Sequence, residues 1–347
     1  MSITQREFGK TKDGRTVTLY TITNSVGNSV SIMDYGATIQ SIRIKDAAGE
    51  FIDCCLGYNT VAEYEEHTDY LGACIGRVGN RTGGSSFTLN GKTYQLTAND
   101  GPNHLHGGPK GFDKQIFKFR SDYDDTATFG YLSPDMDEGY PGEFAAVVSY
   151  VFDNNDNLVM NYYGWSDQDT VVNMTNHTYF NLSGEGSGSI LDHTLELYAS
   201  AITEVDHALI PTGRLLNVEG TPFDFRTAKP LGQDIHADNE QLRYGRGYDH
   251  NFCIDGKGMR PCCILMSPKT RIKMYVSTDM PGVQIYTGNC LTEVPGKSGE
   301  IYHAHSGIAI ETQFYPDSMA HPEFPSPVLK ANEEYRSTTV YQFSVDE

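Results

Sequence analysis

Basic charge is scarce in this 347-residue chain: 26 lysines and arginines face 45 aspartates and glutamates, giving a formal net charge of −19. Nucleic acids and anionic membrane surfaces both require a basic face, so neither is an expected partner. The same acidity disfavours a strongly anionic substrate unless a local basic pocket exists. Long apolar runs are missing too, and none approaches the roughly 20 residues of a membrane helix. The start, Met1-Ser2-Ile3-Thr4-Gln5-Arg6-Glu7, is polar and lacks a signal-peptide core, so a cytoplasmic protein is expected. There is no C-x-x-C among the seven cysteines, and four of them fall in the adjacent pairs Cys54-Cys55 and Cys262-Cys263. Neighbours on a strand point to opposite faces, which makes such pairs poor disulfide or zinc frameworks. Small buried thiols in a reducing compartment are expected instead. Also absent are a nucleophilic serine elbow and a phosphate loop of the G-x-x-x-x-G-K-[ST] type.

Helical periodicity is sparse as well, while β-branched and aromatic residues are spread evenly with 35 glycines between them. This composition predicts an all-β fold, with residues 1–347 forming one extended domain. Arg15 to Ile22, Ser29 to Ile32 and Tyr35 to Ile42 read as antiparallel strands, with Gly36 as a candidate bulge. Asn59 to Tyr70 is the best short helix, capped by Asn59 or Thr60. Asn90-Gly91 supplies the positive φ angles of a primed hairpin turn between 87–89 and 92–96. A second hairpin joins 145–152 to 158–165, and the alternating tail from Glu334 to Val345 would close a sheet.

Several polar residues are stranded where a β core should be apolar. Glu311 follows an apolar run in Gly307-Ile308-Ala309-Ile310-Glu311-Thr312-Gln313, on the opposite strand face from Ile308 and Ile310. A carboxylate there loses hydration and has its pKa raised unless donors compensate. Asn176, His177, Tyr179 and Asn181 share the segment 171–182, which reads as a buried strand and therefore needs hydrogen-bond partners. His106 lies in a glycine- and proline-rich loop, Asn80 and Arg81 in another, Asp249 at a loop-to-strand junction, and Gln284 inside an apolar strand. His104-Leu105-His106 keeps a metal site open, with His177 as a third ligand, although no carboxylate follows at the usual spacing. Otherwise this set of amides, acids, histidines and one arginine suits a neutral, hydroxyl-rich ligand such as a sugar, with Tyr179 or Phe180 covering an apolar sugar face.

Over essentially its whole length the chain resembles the aldose 1-epimerases. The resemblance is carried, in order, by Gly76-Arg77-Val78-Gly79-Asn80-Arg81, Leu105-His106-Gly107-Gly108, Gly111-Phe112-Asp113-Lys114, Asn176-His177-Thr178-Tyr179-Phe180-Asn181-Leu182, Tyr248-Asp249-His250-Asn251-Phe252, Pro281-Gly282-Val283-Gln284-Ile285-Tyr286-Thr287-Gly288-Asn289 and Glu311-Thr312-Gln313. Gly79 and Thr82 depart from the family's more frequent alanine and isoleucine.

The resemblance implies a large antiparallel β-sandwich of the galactose mutarotase type with few short helices. It implies Glu311 as general base and His177 as general acid. Asn80, Arg81, His106, Thr178, Tyr179, Asp249 and Gln284 are implied as sugar-binding residues, with no metal and no cofactor. Mutarotation removes the anomeric hydroxyl proton, protonates the ring oxygen, opens the ring, rotates C1–C2 and recloses. Glutamate, with a reference pKa of about 4.3, and histidine, at about 6.5, suit those two proton transfers. A hexose-6-phosphate epimerase, using the Arg77/Arg81 loop for phosphate, and a non-catalytic sugar-binding module remain as alternatives. Monomer and homodimer are both open.

Overall fold

A computed structural model describes residues 1–346. The strand Phe144–Phe152 alternates buried and half-buried residues along its whole length, as one face of a sheet against a core requires. It pairs with Thr126–Ser133 and Asn157–Ser166, the predicted second hairpin. The sheet continues through Glu334–Val345, Ile272–Thr278, Arg260–Met266 and Thr194–Leu197, reaching nine antiparallel strands. The tail thus lies inside this sheet, between Asn157–Ser166 and Ile272–Thr278.

A six-stranded sheet lies against it, in the order Tyr179–Phe180, Ile308–Gln313, Gly282–Tyr286, Asp249–Ile254, Ala199–Val205, Pro211–Asn217. One core joins the two: Val148, Tyr150, Met160 and Tyr341 from the first pack with Phe252, Val283, Ile285, Ile308 and Ile310 from the second. This is a β-sandwich, with Glu311 on the far face of the six-stranded sheet. An N-terminal meander of five strands, Ser2–Lys10 to Phe51–Asp53, adds Ile22, Val30, Ile32, Ile39 and Ile42 to that core.

The Asn90-Gly91 turn forms as expected, with φ of 52° and 76° between Ser86–Leu89 and Lys92–Gln95. Three expectations need correction. The helix is shorter, Val61–Glu66, because a capping box between Thr60 and Glu63 starts it and the chain turns extended at His67. Gly36 makes a turn at φ 66° ahead of the strand Thr38–Lys45, and the register shift falls within that strand at Gln40, where Ser31 and Ile32 face Ser41 and Ile39. The segment 171–182 is not one strand but three two-residue pieces, Thr170–Val171, Thr175–Asn176 and Tyr179–Phe180. Its backbone changes partner every few residues: Asn173 N–H donates to Arg77 O, His177 N–H to Ala73 O and Asn181 N–H to Cys54 O. That zigzag brings residues 72–80 alongside the six-stranded sheet.

All seven thiols are free; six are buried and Cys290 is exposed. Among the described residues no helix is long and apolar enough to cross a membrane.

Arg77 differs most from its expected surroundings. It is 2 % exposed and its guanidinium donates to Pro141 O at 2.8 Å, Gly142 O at 2.9 Å and Ser133 Oγ at 2.7 Å. Its guanidinium carbon lies 5.7 and 5.5 Å from the ring centres of Tyr140 and Phe144. Burial lowers its pKa to about 10, so it keeps its charge at neutral pH. The residue ties the loop carrying Asn80 and Arg81 to the edge of the large sheet. Removing a buried donor that serves several carbonyls strands each of them, so Arg77→Ala is expected to destabilise the fold by about 3 kcal/mol or more. Urea denaturation checks this, and a loss below about 1 kcal/mol, the size of one ordinary hydrogen bond, contradicts it.

Candidate active site

Cross-strand register assembles the floor of a cleft. Glu311 on Ile308–Gln313 sits opposite Gln284, which sits opposite Asn251. Two pairs along, and so on the same face, Tyr179, Ala309, Tyr286 and Asp249 form the next row. Directly paired residues share a face, so these two rows present carboxylates, amides and aromatic rings to one side. The cleft above them encloses about 490 Å³.

Loops supply the walls. Asn80 and His106 clamp each other: Asn80 N–H donates to His106 Nδ1 at 3.1 Å, and His106 N–H donates to Asn80 O at 3.1 Å. A neutral imidazole whose Nδ1 accepts carries its proton on Nε2. His106 therefore presents an N–H rather than a lone pair. Arg81 Nε donates to Asp100 Oδ2 at 2.8 Å, which fixes the guanidinium plane. Tyr70, Asn80 and His106 all have left-handed φ angles, of 57°, 61° and 51°. Such conformations cost on the order of 1–3 kcal/mol each and cluster where a site is pre-shaped.

Glu311 and His177 face one another, with His177 Nε2 3.5 Å from Glu311 Oε1. Both are buried, and neither Glu311 Oε2 nor His177 Nδ1 has a partner among the described residues. Burial raises the Glu311 pKa well above its usual value; nearby Asp249 adds to this and Arg81 opposes it. Burial lowers His177 to about 4. The imidazole is ringed by Tyr179, His106 and Tyr70, with ring centres at 4.9, 5.1 and 5.8 Å. The pair is thus a carboxyl and an imidazole pushed toward their neutral forms and held within reach of proton exchange.

Asn80, Arg81, His106, His177, Tyr179, Asp249 and Glu311 line this one cleft. Gln284 lies one layer below and donates to Asp249 Oδ1 at 2.7 Å. Thr178 is turned away: its hydroxyl donates to Asn176 Oδ1 at 2.6 Å and it does not line the cleft. A residue next to His177 on an extended backbone must point the other way, which accounts for its absence. Asn176 likewise works structurally, donating to Gly72 O. Residues at the cleft that sequence reasoning did not single out include Asp69, Tyr70, Tyr244, Arg246, Tyr286 and Cys290. Tyr286 and Arg246 lie in quoted motifs or loops, and their side-chain direction only becomes visible once register is known. Nothing in the sequence marks Tyr70, whose place depends on a positive φ in a residue type that seldom adopts it.

The metal reading fails on chemistry. His104 is occupied elsewhere, with Nδ1 2.6 Å from Thr97 O and Nε2 2.7 Å from Tyr140 OH. His106, His177 and Glu311 do place one potential ligand atom each within 4.8 Å of one another. Coordination through His106 Nε2 would move its proton to Nδ1, against the Asn80 N–H. The departure at Gly79 also finds a reason: a Cβ there would lie 3.0 Å from Thr175 Cγ2 and 3.2 Å from Asn173 O.

Comparison with known proteins agrees with this geometry. The family model for aldose 1-epimerase matches residues 18–342. A galactose mutarotase of Bos taurus is 44 % identical over 318 residues, 91 % of each chain. An aldose 1-epimerase of Escherichia coli (strain K12) is 39 % identical over 335 residues, 95 % of this chain and 96 % of that one. The crystal structure of an aldose epimerase homologue from C. elegans superposes with a TM-score of 0.88 at 30 % identity, covering 95 % of this chain and 99 % of the other. With its seven motifs in order, its sandwich and its buried carboxyl–imidazole cleft, the chain belongs to the aldose 1-epimerase family.

Proposed function

We propose that this protein interconverts the α and β anomers of free hexoses such as galactose and glucose, with Glu311 as general base and His177 as general acid. The observation that carries the reading is the pair itself, a carboxyl and an imidazole 3.5 Å apart in one cleft. The anomeric hydroxyl and the ring oxygen are bonded to the same carbon, so the groups serving them must also lie side by side. Glu311 takes the proton of the anomeric hydroxyl as His177 gives one to the ring oxygen. The ring opens, the aldehyde rotates about C1–C2, and reclosure runs the same transfers in reverse.

Before a sugar binds, burial favours the protonated carboxyl on Glu311 and the neutral imidazole on His177. The reactive arrangement, carboxylate beside imidazolium, holds the same single proton and needs only its transfer across the pair. Arg81, whose positive charge favours the carboxylate, and the sugar hydroxyls that replace its lost hydration promote that transfer. Asn80, Arg81, His106 and Asp249 hold the hydroxyls, and Tyr179 and Tyr286 offer their rings to the apolar face of the sugar. His106, as an N–H donor, serves an oxygen that accepts.

A phosphorylated substrate fits less well. Arg77, half of its candidate phosphate site, is spent on carbonyl oxygens, and Asp69, Asp100, Asp249 and Glu311 put four acids along the cleft. A silent sugar-binding module would not require a desolvated acid–base pair. The seven free thiols support the reducing, cytoplasmic setting expected from the sequence.

Replacing Glu311 with Gln keeps shape and removes the base, so kcat for relaxation of α-galactose or α-glucose is expected to fall by about 10²–10⁴-fold. Polarimetry on freshly dissolved sugar checks this, and full activity in the variant refutes the base assignment. The pH profile follows from the shared proton. Activity requires a singly protonated pair; it falls on the acid side when His177 takes a second proton and on the alkaline side when Glu311 loses the last. With His177 lowered to about 4, the acid limb of kcat/KM should lie below the ordinary histidine range, and the raised Glu311 moves the alkaline limb upward. An acid limb centred near 6.5, the unperturbed imidazole value, contradicts the shared-proton account.

A further inference from the structure

Gln313 and Asn251 belong to the motifs that carry Glu311 and Asp249, yet neither lines the cleft. Both are almost completely buried, where an amide must find partners. Their hydrogen bonds run in one direction. Gln313 Nε2 donates to Gln284 Oε1 at 3.3 Å and to Asn251 Oδ1 at 3.2 Å. Gln284 Nε2 in turn donates to Asp249 Oδ1 at 2.7 Å.

Chemistry fixes that direction from the cleft end. Burial raises the Asp249 pKa, while Arg81 and the Gln284 amide oppose that and favour its charged form. An ionised carboxylate only accepts, so Gln284 turns its amide nitrogen to Asp249 and its carbonyl oxygen to Gln313. Gln313 must then donate. The opposite direction would join Gln313 Oε1 to Asn251 Nδ2, which have no partner among the described residues, but would strand Gln313 Nε2 and Asn251 Oδ1 in their place, so it gains nothing locally. It would also set Gln284 Oε1 against Asp249 Oδ1, which only a protonated Asp249 tolerates. The relay leaves two buried amide atoms unsatisfied and presents a donor to Asp249.

We infer that Gln313, backed by Asn251, is a positioning residue for the sugar site: it holds Gln284 with its nitrogen on Asp249, so Asp249 remains a charged acceptor with its second oxygen free for a hydroxyl. This rests on the reading of Asp249 as a sugar ligand. Gln313 acts through Gln284 and touches no reacting atom, so its effect belongs in KM rather than kcat.

Gln313→Met keeps the length of the side chain and cannot donate. It is expected to raise KM for galactose by up to about tenfold, the loss of one buried hydrogen bond between neutral amides, with kcat changed less than threefold. Assayed above the pKa of the new carboxyl group, Gln313→Glu turns position 313 into an acceptor, reverses the relay and should raise KM further. Asp249→Asn raises KM in the wild-type background, but with Gln313→Glu it should lower KM, because the new amide can donate to the reversed Gln284. That change of sign should vanish when Gln284→Met cuts the relay. Thermal melting accompanies each variant. A lowered melting temperature with unchanged KM for Gln313→Met, or additive effects of Gln313→Glu and Asp249→Asn, overturns the inference while the sugar site stands. An unchanged KM for Asp249→Asn alone overturns the sugar-ligand assignment, and the relay with it.

Discussion

A carboxyl group buried away from water, with Arg81 only partly opposing the cost of its charge, is the constraint from which the rest of this structure follows. Glu311 occupies the middle of a strand buried on both faces, 2 % exposed, where Ile308 and Ile310 anchor the backbone in the core between the two sheets. Its strand therefore cannot shift to let the side chain reach water. A lone charge in such a place is strongly disfavoured, and burial raises the pKa of the group well above its usual value. Beside it stands His177, equally dry and disinclined to hold a second proton. Burial pushes both groups toward their neutral forms, and a polar ligand that replaces the lost hydration shifts that balance. Desolvation thus supplies the reactivity that an exposed glutamate and histidine would lack.

The surrounding structure serves to keep that pair in place and dry. The segment 171–182 gives up regular strand pairing so that His177 can lean over the six-stranded sheet, while its backbone is satisfied by loops 72–79 and 54–56. Arg77 fastens the first of those loops from behind. The Asn80–His106 clamp fixes a tautomer as well as a position, and the Gln313–Gln284–Asp249 relay fixes a charge state. Each device uses a directional hydrogen bond in a buried setting, where a misdirected donor would be costly. Together they make the cleft a preset surface of donors and acceptors, suited to a ligand that presents hydroxyls on every side.

How much of this was legible beforehand depended on whether the signal was local. Period-two alternation at 144–152 and 334–345, and the Asn90-Gly91 turn, are local, and they read correctly. The polar residues out of place in apolar strands, Glu311, Gln284 and His177, stood out because burying them needs a reason. Partner choice is not local. Nothing within 171–182 says that it will pair with two different loops, and nothing in Gly76-Arg77 says that the guanidinium turns inward. Thr178 is implied as a site residue by the family resemblance, whereas an extended backbone alternates and sends its side chain to Asn176. Tyr70 was invisible for the opposite reason, since its approach to both histidines depends on a backbone angle that tyrosine seldom adopts. The direction of the amide relay could be derived only after register had set Gln313, Gln284, Asn251 and Asp249 on one face.

The most direct measurement of the central claim is the protonation of Glu311 at neutral pH. Infrared difference spectroscopy of the sugar-free enzyme, with the Glu311→Gln variant as the reference, isolates the carbonyl stretch of this one carboxyl group. The account predicts a protonated-carboxyl band at pH 7 that weakens when galactose binds, together with a neutral His177 ring in nitrogen NMR of the free enzyme. A carboxylate band alone at pH 7, accompanied by an imidazolium signal from His177 before any sugar is added, would contradict it.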